Sequence, residues 1–359
     1  MTEAIEATTA IVGAGPAGIA TACLLAEAGE EVLVVDEGSL AGGQIWRHRQ
    51  GTEPPVAARR WLKRLQDSQV RCLHGTSIVD ARPGRLLIGE TAAGTIAIRS
   101  ERVVLATGAR ERFLPFPGWT LPGVIGVGAA QALVKTGVEV EGVEVVLAGS
   151  GPLLLPVADL LKRRGAIVKL IAEQAPRSAM LKFAAGLWQM PSKVREAIRY
   201  RSGTLGTPYR FGVWATAARG GDHVLEVELT DGSRRWTETC DLLCCSYGLV
   251  PNTELATWLG CEIRDDRVKV DRFGSVSSTV VQAVHIRCDG VGGQRDGGGQ
   301  PVRPVNGDVD LRPVAPGSAG ERPFRDVHQL AVCAELHDHR LAGERGQLDG
   351  RYGTIGPPG

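Results

Sequence analysis

Short apolar runs and helical patterns alternate along the chain in an order that occurs twice. An apolar run at 9–12 precedes a glycine-rich turn at 13–18 and a helical pattern, and a second apolar run follows at 32–35. The same order recurs between 143 and 173, around a second glycine-rich turn. Short continuous apolar runs are typical of buried parallel strands. Each stretch therefore predicts a strand–turn–helix–strand unit.

The first turn has the glycine spacing of a dinucleotide-binding βαβ unit. Gly13 allows the tight turn, Gly15 lets the backbone approach a diphosphate, and Gly18 lets the helix pack close to the strand. The start of the helix offers free N–H groups and a partial positive charge to phosphate. An acid after the second strand is expected to bind ribose; Asp36 is the candidate and Glu37 the reserve. The alternative interpretation is a structural glycine turn.

The second turn is less complete than the first. Gly149 and Gly151 repeat the first two glycines, but Leu154 replaces the third. A leucine there is expected to hold the helix farther from the strand or to force a different packing. Glu173 follows the second strand as the candidate ribose ligand. The stretch predicts a Rossmann-like fold, and both retention of NAD(P) and loss of the ligand stay open.

Length and charge fit a two-domain protein without a highly charged partner. The chain has 359 residues and a formal net charge of +1. Such a length suits two cores, and near-neutral charge points neither to nucleic acid nor to an anionic membrane. The first residues lack the pattern of a signal peptide, and no apolar stretch is long enough to span a bilayer. We expect a cytoplasmic location.

The eight cysteines do not form a recognisable redox or metal motif. None are spaced as CxxC, and none have the close spacing of an iron–sulfur site. Cys240, Cys244 and Cys245 lie in or beside an apolar run, which favours buried structural thiols over a reactive vicinal pair. We expect no metal site. No acid–base or nucleophilic constellation stands out, so catalytic residues are left unassigned.

Six segments carry a resemblance to a known family, and it extends over roughly residues 8 to 279. They are 13–18, 42–46 (GGQIW), 106–112 (ATGARER), 115–124 (PFPGWTLPGV), 149–155 (GSGPLLL) and 247–253 (YGLVPNT). The chain resembles flavoproteins with two dinucleotide-binding domains, of the pyridine nucleotide-disulfide oxidoreductase-like superfamily. Within it, the chain is most similar to the FAD-binding A (alpha) subunits of opine oxidases and hydroxyproline dehydrogenases and to the B subunit of hydrogen cyanide synthase.

The resemblance implies an α/β fold with two Rossmann-like domains, the NAD(P)-type domain being inserted into a discontinuous FAD domain. The expected bounds are 1–124 for the first FAD segment, 125–248 for the NAD(P)-type domain and 249–280 for the return to the FAD domain. By position, the implied FAD contacts are Gly13, Gly15, Gly18, Asp36, Gly43, Gln44, Thr107 and Gly108. Further candidates are Pro16, Ala17, Glu37 and Gly42 for FAD, and Gly149, Gly151 and Glu173 for NAD(P).

The resemblance also implies a function. We expect the FAD-binding component of a heteromeric dehydrogenase, in which a partner subunit oxidises an amine or imino-acid/opine-type substrate and electrons pass to an acceptor. The cofactor carries the electrons, so the protein needs no acid–base machinery of its own. The alternatives are an NAD(P)H-dependent flavin reductase using both sites, and a truncated or frameshifted product without activity.

The segment from 281 to 359 departs from the family pattern. Regular periodicity fades there, Gly, Pro and Arg are frequent, and Lys is absent. Such a composition lacks the apolar surface that offsets the entropy cost of ordering. The family's strand and Gly-Asp pair, which would follow residue 280, are not recognisable. We expect either a frameshift near codon 280, which would leave the FAD domain open at one side, or a disordered tail.

Overall fold

The computed structural model describes residues 4–187, 191–270 and 281–283. Its helices are α1 (Pro16–Glu27), α2 (Val56–Gln66), α3 (Val127–Lys135), α4 (Leu154–Arg163), α5 (Arg177–Leu187), α6 (Pro191–Gly203) and α7 (Glu254–Trp258). Its strands are β1 (Ile5–Val12), β2 (Val32–Val35), β3 (Arg71–Leu73), β4 (Ser77–Arg82), β5 (Leu86–Thr91), β6 (Gly94–Leu105), β7 (Ala109–Glu111), β8 (Val124–Gly126), β9 (Glu144–Gly149), β10 (Ile167–Glu173), β11 (Tyr209–Phe211), β12 (Trp214–Gly220), β13 (Val224–Thr230), β14 (Arg235–Thr239), β15 (Leu242–Ser246), β16 (Leu249–Pro251), β17 (Ile263–Arg264), β18 (Arg267–Val268) and β19 (Val281–Ala283).

The first unit is a sheet in the order β3-β2-β1-β6-β5-β4, and its first four strands run parallel. Successive side chains of a strand point to opposite faces. Ile11 and Val34 accordingly pack with α1 and α2 on one face. Val12 and Val35 pack with residues of β5 and α7 on the other face. The short apolar runs are therefore central strands buried on both sides, as their pattern predicts.

Strand β6 joins two runs, at 96–98 and 103–106, that the sequence predicts as separate strands. The polar residues between them are accommodated by tertiary contacts. The Arg102 guanidinium donates a 2.6 Å hydrogen bond to the Glu30 carboxylate and a 3.3 Å hydrogen bond to Thr9 Oγ1. Because these partners lie on or next to the neighbouring strand β1, the pairing continues along the whole of β6.

The second unit is a five-stranded sheet in the order β11-β10-β9-β15-β8, and all its strands are parallel. Val145 and Leu147 pack against α3 and α4 on one face. Val146 and Ala148 pack against the antiparallel sheet β12-β13-β14 on the other. The two units together confirm the expected α/β fold class with two Rossmann-like units. None of the helices in the described part is both long and apolar enough to cross a bilayer.

Two short antiparallel strands connect the units. The chain leaves the first unit through β7 and returns through β16, which pairs with β7. Strand β8 pairs with β15 of the second sheet from Val124 onward. The expected boundary between 124 and 125 thus falls inside β8.

Strand β19 follows the last residue of the expected FAD segment. Val281 pairs in parallel with Val103, and Ala283 pairs with Leu105. Regular structure therefore extends past the expected break at 280 and reaches the carboxyl end of β6. The expected disorder or frameshift of residues 284–359 lies outside the described residues.

Candidate functional site

The turn at 13–18 is built so that two of its glycines are required by the protein's own packing. An added Cβ at Gly13, where φ is +108°, would overlap with the Ala106 carbonyl oxygen. An added Cβ at Gly18 would overlap with the Gly13 carbonyl oxygen. At Gly15, by contrast, no atom lies within 4 Å of the position of an added Cβ. The turn therefore leaves open space at Gly15.

This open space lies at the N-terminus of α1. Gly15 is the residue that precedes the helix, and no side chain forms a hydrogen bond that caps it. Pro16 occupies the first turn, where its missing N–H costs nothing. Ala17 and Gly18 are buried behind it. A helix N-terminus with its partial positive charge and an open approach is suited to an anionic group such as a diphosphate.

Asp36 brings a carboxylate from the end of β2 to the same turn. Its Oδ2 accepts a hydrogen bond of 2.5 Å from the Ala14 N–H, and its Oδ1 accepts one of 2.8 Å from the Gly38 N–H. Asp36 is half-buried, whereas Glu37 beside it is exposed. The structure thus brings the first candidate acid to the turn and leaves the reserve candidate outside.

The loop Gly42–Trp46 packs directly on the turn. The Gly42 N–H donates a 2.7 Å hydrogen bond to the Ala14 carbonyl oxygen. At Gly43, where φ is +56°, an added Cβ would lie 2.9 Å from the Gly15 Cα. Both glycines are therefore required by close contact between backbones. The Gln44 side chain of the same loop is exposed.

Thr107 and Gly108 follow β6 and join the first unit to the returning chain. Thr107 Oγ1 donates to the Asn252 carbonyl oxygen at 2.9 Å, and Asn252 Nδ2 donates to the Thr107 carbonyl oxygen at 2.8 Å. The Asn252 N–H donates to the Gly108 carbonyl oxygen at 3.1 Å. Sequence reasoning did not assign Asn252 a role at the site. Its signal was its place in the diagnostic segment at 247–253.

The second turn repeats part of this geometry. An added Cβ at Gly149 would overlap with the Ser246 carbonyl oxygen, while Gly151 has no atom within 4 Å of its added Cβ. Helix α4, however, begins at Leu154, three residues after Gly151, whereas α1 begins directly after Gly15. Leu154 is fully buried in the core of the second unit. The predicted change of packing thus takes the form of a helix that starts one turn late.

Glu173 lies at the end of β10 and is engaged by the protein itself. Its Oε2 accepts hydrogen bonds from the Gly151 N–H at 3.3 Å and from the Tyr209 hydroxyl at 3.4 Å, and its Oε1 accepts one from the Ala175 N–H at 2.9 Å. The residue is fully buried, and this burial raises the pKa of the carboxyl group. Asp36 is half-buried at the corresponding position of the first unit. The two acids differ therefore in how far they are open to a ligand.

The cysteines of β15 are buried, as predicted for structural thiols. Burial raises the pKa of Cys240 and Cys245 to about 12 and the pKa of Cys244 well above its ordinary value. A thiol must lose its proton to react as a nucleophile. This environment disfavours the alternative of a reactive vicinal pair. In residues 4–187 and 191–270, no three His, Cys, Asp or Glu side chains converge as metal ligands.

The candidate residues fall into two groups, one in each unit. The turn at 13–18, Asp36, the Gly42–Trp46 loop and Thr107–Gly108 meet at the carboxyl ends of β1, β2 and β6. Gly149, Gly151 and Glu173 meet at the carboxyl ends of β9 and β10. Open parallel sheets bind nucleotides at this edge. The fold and its turns define a protein with two dinucleotide-binding folds.

The comparison with known families agrees with this class. The model of the family described as pyridine nucleotide-disulphide oxidoreductase matches residues 7–284. The chain belongs to this family. It is an oxidoreductase of the FAD-dependent type that the family and its structural neighbours represent.

Curated relatives are components of larger enzymes. The chain is 31% identical to hydrogen cyanide synthase subunit HcnB of Pseudomonas aeruginosa, over 70% of this chain and 59% of the relative. It is 31% identical to the A component of opine oxidase from Agrobacterium tumefaciens, over 79% of this chain and 61% of the relative. The chain therefore spans about three fifths of the length of these relatives.

Solved structures share the fold. The T. acidophilum thioredoxin reductase superposes with a TM-score of 0.60 at 18% identity, covering 94% of this chain and 99% of that chain. The L-proline dehydrogenase from P. horikoshii superposes with a TM-score of 0.55 at 19% identity, covering 79% of this chain and 51% of that chain. These similarities show the two-unit fold.

Proposed function

We propose that this chain is the FAD-binding component of a heteromeric dehydrogenase. A partner subunit would oxidise an amine or an imino-acid/opine-type substrate, and the FAD of this chain would pass the electrons to an acceptor. The observation that carries the proposal is the open space over Gly15 at the uncapped start of α1, with the Asp36 carboxylate at the same turn. The relatives support it because they are named as subunits of hydrogen cyanide synthase and opine oxidase.

The residues of the first unit fit FAD in the following way. The diphosphate would lie over Gly15, at the turn formed with Gly13, Pro16, Ala17 and Gly18. Asp36 would accept hydrogen bonds from the ribose, with Glu37 as the reserve. The close packing of Gly42 and Gly43 on the turn would bring the Gly42–Trp46 loop, and with it Gln44, beside the cofactor.

Thr107 and Gly108 would contribute backbone rather than side-chain groups. The Thr107 hydroxyl is already committed to the Asn252 carbonyl oxygen. Bound FAD accepts electrons and releases them again, so the protein's task is to bind and orient it. Substrate recognition would then belong to the partner subunit.

The first experiment is a visible absorbance spectrum of the purified full-length chain, with the released flavin identified after denaturation. The proposal predicts a flavin spectrum and stoichiometric FAD. A colourless protein that fails to take up added FAD contradicts the proposal. It would instead favour the alternative of a truncated or frameshifted product, which an intact mass and the gene sequence around codon 280 would then examine.

A second candidate function is an NAD(P)H-dependent flavin reductase, in which Gly149, Gly151 and Glu173 bind the nicotinamide dinucleotide. The observation in its favour is that the space over Gly151 is as open as the space over Gly15. Two observations oppose it: α4 starts late, and the Glu173 carboxyl is fully buried and bound by the protein. Rapid bleaching of the flavin by NADH or NADPH in the absence of any partner subunit would favour this candidate over the leading one.

A further inference from the structure

Helix α3 of the second unit reaches into the first unit through its last residue, Lys135. The Lys135 ammonium donates a 3.1 Å hydrogen bond to the Ile45 carbonyl oxygen and a 3.5 Å hydrogen bond to the Gln44 carbonyl oxygen. Its third acceptor is Gln131 Oε1, one turn earlier in α3, at 3.2 Å. The three donors of the ammonium are thus directed at three oxygen atoms, two of which belong to the Gly42–Trp46 loop.

The surroundings of Lys135 contain cations rather than a countercharge. Burial lowers the pKa of Lys135, and the positive charge of Arg47 lowers it further. Within the described ranges, Lys135 forms no ion pair with a carboxylate. Arg49 lies against the backbone just after the helix, at Gly137. A partly buried ammonium without a carboxylate is costly unless its hydrogen bonds are satisfied, and here the loop carbonyls satisfy them.

The loop that Lys135 holds is the loop that packs on the candidate diphosphate turn. Gly42 is hydrogen bonded to Ala14, and Gly43 contacts Gly15 backbone to backbone. A continuous set of contacts therefore runs from the ammonium of the second unit, through one short loop, to the open space at Gly15. Movement of the loop away from α3 would remove one wall of this space.

We propose that Lys135 is a positioning residue for FAD: the second unit holds the Gly42–Trp46 loop against the diphosphate turn, so that retention of FAD depends on this contact. The inference rests on the proposed function, because it requires FAD at the first turn. Its consequence is that the inserted unit takes part in cofactor binding even if it binds no nucleotide of its own. The charge of Lys135, together with that of Arg47, also favours an anionic ligand at this turn.

The test compares three variants of the full-length chain. Lys135→Met keeps the length of the side chain and removes the donors, whereas Lys135→Arg keeps the charge and the ability to donate. The matched control is Lys162→Met, because the Lys162 ammonium likewise donates to a carbonyl oxygen, that of Leu205 at 2.8 Å, and to Thr207 Oγ1 at 3.2 Å, inside the second unit. FAD is titrated into each apoprotein, and binding is followed by the change in flavin fluorescence.

The expected result is an FAD dissociation constant raised about tenfold or more in Lys135→Met, where tenfold corresponds to about 1.4 kcal/mol. Lys135→Arg is expected to restore most of the affinity, and Lys162→Met is expected to bind FAD as the parent chain does. Thermal unfolding supplies a readout that a purely structural role would not move. The rise in melting temperature on adding FAD should shrink in Lys135→Met alone, since ligand stabilisation depends on the ratio of ligand concentration to dissociation constant.

Two results would overturn the inference, and they are distinguishable. If the parent chain binds FAD and Lys135→Met binds it equally well, the positioning role is wrong while the proposed function stands. If Lys135→Met and Lys162→Met weaken FAD binding to the same extent, the effect is general destabilisation and the positioning role is again wrong. A parent chain that binds no FAD contradicts the proposed function and the inference together.

Discussion

Thr107 and Asn252, which are 145 positions apart in the chain, hydrogen bond to each other in both directions. Thr107 ends the outgoing segment of the first unit, and Asn252 lies at the start of the returning segment. Next to them, β7 and β16 pair as the two strands that connect the units. This contact closes the first unit where the chain leaves it and returns, and it lies beside the candidate FAD turn.

We predict that Asn252→Ala lowers the free energy of unfolding by about 1–3 kcal/mol, because it leaves the part-buried Thr107 carbonyl oxygen without its amide donor. Thr107→Val is expected to cost about 1 kcal/mol through the loss of its single hydroxyl donor. Urea unfolding of both variants measures the difference. An Asn252→Ala variant as stable as the parent chain would show that the contact does not hold the connection.

The glycines of the first turn should differ in what they are needed for. We predict that Gly18→Ala destabilises the apoprotein by about 3 kcal/mol or more, because the added Cβ overlaps with the Gly13 carbonyl oxygen. The matched control is Gly221→Ala, an exposed site with no atom within 4 Å of the added Cβ, where the change is expected to stay within about 1 kcal/mol. Equal melting temperatures for the two variants would contradict the close packing of α1 on the turn.

Glu173 should make the stability of the second unit depend on pH. Its pKa is raised in the folded state by burial, so the folded chain holds this proton more tightly than the unfolded chain does. This contribution favours folding most at acidic pH and is lost as pH rises from about 4.5 through the folded pKa. In Glu173→Gln that fall should be absent, so the melting temperatures of the two proteins should change differently over this range. Parallel pH profiles would contradict a raised pKa at Glu173.

The thiols of β15 should be inert in the folded protein. Burial raises the pKa of Cys244 and Cys245, so neither carries a reactive thiolate near neutral pH. We predict that a colorimetric thiol reagent labels neither residue before the chain unfolds, which peptide mass mapping can verify. Rapid labelling of either residue in the native protein would reinstate the reactive vicinal pair.

The sequence predicts those parts of the fold that depend on local requirements. The turn at 13–18 and Asp36 could be assigned because the glycine spacing and the terminal acid are fixed by the βαβ unit itself. The late start of α4 follows from Leu154, whose effect on packing the sequence predicts in kind but not in form. These features need only neighbouring residues to be recognised.

Other features depend on contacts between residues far apart in the chain. The continuity of β6 depends on Arg102 meeting Glu30, and the burial of Glu173 depends on Tyr209 from the next strand. Lys135 gives no signal in the sequence, because its loop partners lie about 90 residues earlier and are backbone carbonyls. A pattern of residue types cannot identify a partner that is present in every residue.

The most direct test of the central claim is the uptake of FAD by Gly15→Val compared with the parent chain. At Gly15 φ is −74°, and no atom lies within 4 Å of an added Cβ, so a valine there fits the protein and occupies only the space assigned to the diphosphate. We predict that the parent chain binds stoichiometric FAD, whereas the variant keeps the melting temperature of the apoprotein and binds little or none. A variant that binds FAD as tightly as the parent chain would contradict the assignment of this turn as the FAD site.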